Sequence, residues 1–344
     1  MRTPRDLFVF CGQSNMMGAC DFPPKHTLNI KNSLEFKYKK EYLGRGRAFF
    51  QPVSFDVGEF LYCDSQKAYP EGEENSSLTE YRPNTYFVAS MAGLEKPFAT
   101  YSEADHVCGS SLLPYFCEEY EKYGEAPLTA HIAKGAVRIE HYFNAEMAEE
   151  YNSLKSSEHK EMTVGDMEMG ANRVFTKKSL AFFREAEAQY GKIGKKVFLW
   201  LQGESNGDDK EEEYRLKLEI LLRYIKKIGY DSFFCIRVGY WGDPNIINVI
   251  RAQEAFCRDH EECHMVSRAV SFMPNPASNP PKDWFIENPP EQYQGCRDTY
   301  YGTQNSHINE KGFMLLGRQV AQNAYRILRE NKPPILSPEL LARI

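Results

Sequence analysis

Nowhere is this chain apolar for long enough to cross a bilayer or to act as a secretion signal. Residues 1–6 run straight into a short strand-like run, so a cytoplasmic location and no membrane partner are expected. Positive charge is not in surplus either. The formal net charge of −6 argues against nucleic acid as the main partner and leaves a neutral or sugar-like substrate open. Paired CxxC spacings are missing: the nine cysteines (11, 20, 63, 108, 117, 235, 257, 263 and 296) are odd in number and scattered, many of them inside apolar runs. That is the pattern of reduced thiols filling a core. Cys257, His260, Cys263 and His264 crowd together, but their spacing matches no zinc pattern, and no metal or other cofactor is expected. No linker-like stretch divides the 344 residues, which favours a single domain over residues 1–344, while the pattern leaves a homo-oligomer open.

What the chain does have is alternation of strand-like and helix-like segments. After a strand at 7–11, a helix is predicted over 110–123, a strand over 128–133 and a helix over 169–190 with Leu180 and Phe183 on its inner side. Residues 197–201 form a continuous apolar run that fits a central parallel strand. The clearest helix covers 213–228, where Tyr214, Leu218, Leu221, Leu222, Ile225 and Ile228 recur at the spacing of one buried face and Gly229 ends the run. Strand 233–238, helix 246–257, strand 265–270 and a closing helix over 309–330 follow, the last with Phe313, Leu316, Val320, Ala324 and Ile327 inward. Strand then helix, repeated about five times, predicts a three-layer α/β/α sandwich around a mainly parallel, five-stranded sheet of flavodoxin-like order. Three insertions interrupt it: a long irregular region at 19–84, a Glu-rich excursion at 144–168, and a loop rich in proline and aromatics at 273–301.

Chemistry concentrates where strands end. Leu7-Phe8-Val9-Phe10 leads through Cys11 to Gly12, which ends the strand and places Ser14 at its carboxyl end, the edge where open α/β sheets bind ligands. Gly-Gln-Ser-Asn is equally the composition of an ordinary turn. Gly135-Ala136 follows the strand 128–133, Gln202-Gly203-Glu204-Ser205-Asn206 follows the strand 197–201, and Asn305-Ser306-His307 precedes the last helix. A serine nucleophile needs a base and donors aimed at the developing oxyanion. Ser14 and His307 can form the first pair; the backbone N–H groups of Ser14, Gly135 and Ala136, with the Gln202 carboxamide, can supply the donors.

Gly12-Gln13-Ser14-Asn15-Met16, Trp200-Leu201-Gln202-Gly203-Glu204-Ser205-Asn206, Arg251-Ala252-Gln253 and a late Ser-His before the closing helix together resemble the sialate O-acetylesterase branch of the SGNH hydrolases, which includes acetylxylan esterases. The resemblance spans residues 7 to about 320 and implies the SGNH fold, Ser14 as nucleophile, His307 as base and then acid, and Gly135 in the oxyanion hole. Two positions depart from it. Ala136 stands where the family has a second glycine, and Gln304 where it often has an aspartate three residues before the histidine. In a serine-protease triad an aspartate-to-amide change costs ~10⁴ in kcat. A Ser-His dyad, or a carboxylate from Glu204 or Asp298, would then orient the imidazole.

The expected partner is a small-molecule or oligosaccharide O-acetylated substrate, sialic acid being one such sugar. Substrate contacts are expected from Gln13, Asn15, Arg138, Tyr240, Trp241, Trp284 and Tyr301, the rings packing on sugar C–H faces and Arg138 meeting a carboxylate. Each has a plainer reading: the rings pin a long loop, Arg138 makes an ordinary ion pair, Glu204 holds its own loop through backbone N–H groups, and His307 is a satisfied histidine at the start of a helix. A non-carbohydrate acyl ester or thioester as substrate, or a sugar-binding homologue without catalysis, are the alternative functions.

Overall fold

The computed structural model describes residues 4–18, 26–38, 48–53, 59–61, 81–83, 111–133, 137–163, 171–239, 245–272, 308 and 310–336. Its centre is β1 (Leu7–Gly12), all six residues of which are buried. A strand buried on both faces must be apolar throughout, and Leu-Phe-Val-Phe-Cys is. In parallel register β1 pairs with β6 (Leu128–Ala133) on one side and β7 (Lys196–Leu201) on the other. Beyond β7 come β8 (Ser232–Ile236) and β9 (Cys263–Ser267), again parallel. These five strands have the expected flavodoxin-like order, β6-β1-β7-β8-β9.

Among the described residues the sheet has seven strands rather than five. Beyond β6 lie β2 (Leu34–Tyr38), parallel to it over two residues, and β3 (Ala48–Pro52), antiparallel to β2. Both come from the region expected to be irregular, as do β4 (Glu59–Leu61) and β5 (Tyr81–Pro83), which pair with each other. They are short and charge-flanked, so their alternation is too brief to stand out, and tertiary pairing makes them strands.

Residues in parallel register point to the same face, so Val9, Cys11, Phe198 and Trp200 share one face and Phe8 and Phe10 the other. On the Phe8 face, Phe116 and Tyr120 of α2 (Leu112–Glu121) meet the strand, and α2 packs on α7 (Glu310–Leu328). On the Trp200 face lie α4 (Ala171–Tyr190), α5 (Glu211–Ile228) and α6 (Ile246–Asp259), where Tyr230 meets Phe198 and Phe256 meets Phe233 edge-on, and Phe183 packs edge-on against Tyr230. Gly229 caps α5 in the left-handed conformation, φ 106°. Within the Glu-rich excursion Ala145–Leu154 is a helix, α3, packed on α5. One inward assignment and one strand boundary shift. Leu180 points to solvent while Phe182 and Phe183 fill the core, and the strand expected at 265–270 begins at Cys263 and gives way to a 3-10 turn at Ala269–Phe272. The described cysteines are free thiols, four of the five buried. No described helix is long and apolar enough to cross a membrane.

Candidate active site

All five core strands run the same way, so their carboxyl ends form one edge. In this strand order the crevice between β1 and β7 is the switch point at which such sheets bind ligands. There β1 ends at Gly12, where an added Cβ would lie 1.9 Å from the Leu201 carbonyl oxygen, so only glycine lets the two strands close up. Tyr142, fully buried on the 3-10 turn Ile139–Tyr142, pins this bend: its hydroxyl accepts from Gly12 N–H (3.0 Å) and lies 2.6 Å from the Gly12 carbonyl. The Gln13 N–H donates to Leu201 O at 3.1 Å. Ser14 then opens a single helical turn, α1 (Ser14–Met17), closed by Gly18 at φ 91°. The Ser14 N–H is thus among the first-turn donors that a helix leaves without an internal acceptor.

The neighbours of Ser14 face inward. Gln13 Oε1 accepts from Gln202 Nε2 and from the Ser205 N–H, both at 3.2 Å. Asn15, fully buried, donates from Nδ2 to Glu204 Oε1 at 2.9 Å, and its Oδ1 accepts a long hydrogen bond, 3.4 Å, from the Ile308 N–H. Both serve as clamps within the chain, Asn15 through its whole carboxamide and Gln13 through Oε1. Asn15 joins the serine turn to the turn after β7 and to the residue that follows His307.

Glu204 stands on the 3-10 turn Glu204–Asn206. Its Oε1 is held by Asn15, and its buried Oε2 has no hydrogen-bond partner among the described residues. Burial pushes this carboxyl up from the ordinary carboxylate range, and the Asn15 bond only partly offsets that. A buried carboxyl with one oxygen anchored and the other open is arranged to meet a donor.

Two further expectations are corrected. The Gln202 carboxamide cannot serve an oxyanion. Its Nε2 has the acceptors Asn206 Oδ1 (2.8 Å), Val137 O (3.0 Å) and Gln13 Oε1 (3.2 Å) for its two hydrogens, and its Oε1 accepts from Tyr214. Nor is Arg138 reserved for a substrate carboxylate, because it donates to Asp208 (2.6 Å), Asp209 (2.7 Å) and the Ser205 carbonyl (2.9 Å). Gly135, Ala136, Tyr240, Trp241, Trp284, Tyr301 and His307, like Gln304 and Asp298, lie outside the described residues.

Sequence reasoning passed over Asn206 and Lys217. Asn206 accepts from the Ile139 N–H and donates to Glu140 and Asp209, tying the turn after β7 to the turn that holds Tyr142. Lys217 lies on the buried stripe of α5, and its ammonium bonds Glu140, Asp209 (2.8 Å) and Glu213 (3.0 Å). Burial raises the Glu140 carboxyl, but Lys217 and Arg138 outweigh it and hold the group down at about 2. Asp209 goes the other way, up to about 6, because burial and the Glu140 charge together exceed the pull of Lys217. A lysine within an apolar stripe was the available signal.

No protein-family model matches the chain, and no curated protein matches it. Among solved structures, the chain is similar to that of a protein named NanS, with a TM-score of 0.52 at 10% identity over 96% of this chain and 100% of that one. A protein from Arabidopsis thaliana (TM-score 0.47, 14% identity, 94% of this chain and 98% of that one) and a carbohydrate acetylesterase from Xanthomonas citri (0.46, 12%, 95% and 57%) are also similar, more loosely. At such identities the likeness is one of fold, and it is with NanS that this chain shares its helix-flanked parallel sheet.

Proposed function

We propose that the chain is a serine carbohydrate O-acetylesterase, with Ser14 as nucleophile and His307 as base. The observation that carries the reading is the Asn15 bridge: one buried side chain adjoining Ser14 holds both Glu204 and the backbone of Ile308, next to His307, at the carboxyl edge of the sheet. In this reading Ser14 Oγ attacks the acetyl carbonyl as His307 takes its proton. The oxyanion lies against the N–H of Ser14 and those of the 135–136 turn. His307 then protonates the leaving sugar oxygen and activates a water that frees acetate from Ser14. Glu204 is the carboxyl that orients the imidazole in place of the residue at 304, its open Oε2 the acceptor. Sialic acid and neutral sugars both fit this chemistry, although Arg138 is already engaged by two aspartates.

Acetate release from p-nitrophenyl acetate, O-acetylated sialic acids and acetylated xylan, with wild type beside Ser14→Ala, tests the proposal. The expected outcome is release by wild type, with one sugar preferred, and a fall of ~10⁴-fold or more in the variant. Longer acyl chains preferred over acetyl would move the substrate to another ester class. No release by wild type from any ester would leave a sugar-binding protein.

A further inference from the structure

A cavity of about 490 Å³ opens between the 139–142 turn, the segment 158–162 and the first turns of α5, within the size range of small-molecule sites (~300–1,000 Å³). It adjoins the candidate active site. Arg138 on its wall holds the carbonyl of Ser205, whose N–H is held by Gln13. Its deepest acids are already supplied with a cation from within the chain, because the Lys217 ammonium bonds Glu140, Asp209 and Glu213. The buried group left over is His159, only 6% exposed, with no hydrogen bond to either ring nitrogen among the described residues. The carboxylate oxygens facing it stand off, Glu212 at 3.7 Å and Glu213 at 4.0 Å.

A neutral imidazole offers one donor and one acceptor. Its complement is a group that can both give and take a hydrogen bond, which a hydroxyl does and which neither a phosphate oxygen nor an ammonium does. Six carboxylates line the cavity against four cationic side chains, so an anion would meet a lining of its own sign. We propose that this cavity is a subsite for a neutral, hydroxyl-rich sugar unit, with His159 hydrogen-bonding its hydroxyls. Its role as the seat of a second sugar of the substrate rests on the esterase reading; the binding itself does not.

Calorimetric titration of the full chain with xylotetraose, and with an anionic tetragalacturonate, tests this. Wild type is expected to bind xylotetraose in preference to the anionic chain. His159→Phe, which keeps a ring and loses both nitrogens, should weaken binding about tenfold or more. His159→Gln, which keeps a donor and an acceptor, should restore most of it. No binding by wild type, a preference for the anionic chain, or equal binding by wild type and His159→Phe would overturn the proposal. The probe carries no ester, so binding without acetate release from acetylated substrates would overturn the esterase reading and keep the subsite. Acetate release without xylotetraose binding would do the reverse.

Discussion

Asn15 joins three pieces of chain through one carboxamide, and that makes it the most informative residue for mutation. It is buried and reaches Glu204 and Ile308, so it acts on the reaction only through them. Asn15→Ala should therefore lower kcat by ~10–10²-fold with little change in KM, as expected when reacting groups are misplaced rather than substrate contacts removed. The pH profile separates this from general damage. The Asn15 bond lowers the Glu204 carboxyl against the upward push of burial, so without it that carboxyl rises further, and the acid limb of kcat should move to higher pH. An unmoved acid limb would remove Glu204 ionisation from the reaction. The sequence made the positions of Ser14 and Glu204 at the carboxyl edge legible, because strand-glycine-serine and a polar turn after an apolar strand report position. It did not show that Gln13, Gln202 and Arg138 are engaged within the chain, because it reports which hydrogen bonds a side chain can make, and not which of them neighbouring groups already take.

At the scale of elements, every core strand and helix of the sheet was legible, since each must bury an apolar stripe of the right period. The strands β2 and β3 were not, because both are short: β2 is fixed by two residues of pairing with β6, far along the chain, and β3 by β2. The stripe of α5 also holds a polar exception, Lys217, whose ammonium links that helix to the turns carrying Glu140 and Asp209. Lys217→Met should cost about 3–5 kcal/mol, as stranding one side of a buried ionic cluster usually does. The loss should be larger at pH 8 than at pH 5. With the lysine present, Glu140 sits below its unfolded value and contributes stability above about pH 4.5 that is lost as pH falls toward about 2. Without the lysine the same carboxyl rises, held down by Arg138 and Asn206 alone, so less of the stability it contributes at high pH remains. Urea unfolding of both proteins at the two pH values measures the difference, and an equal loss at both would show that Lys217 does not set the charge state of the cluster.

Across the whole molecule, the two edges of the sheet have separate duties. The carboxyl edge holds the Ser14 turn, and the amino edge holds a clamp. Asp6, its side chain 1% exposed, accepts from the Lys195 N–H at 2.7 Å and from Arg329, just beyond the end of α7, also at 2.7 Å. The Asp6 carbonyl takes the Leu128 N–H, so one residue ties the starts of β1, β6 and β7 to the end of the last helix. Burial raises the Asp6 carboxyl despite its partners, Arg329 among those holding it down. Arg329→Met removes that restraint, and Asp6 should rise further above its unfolded value of 3.8. A carboxyl raised in the folded state contributes stability fully below the unfolded value and loses it as pH climbs through the folded one. The variant should thus approach wild-type stability at pH 4 and fall short of it by ~1–3 kcal/mol at pH 7. Its acetate release per folded molecule should not change, because Arg329 lies at the far end of the helix that begins beside Ile308. A fall in turnover by the folded variant would mean that α7 transmits the state of the amino edge to the site, and the two edges would no longer be independent.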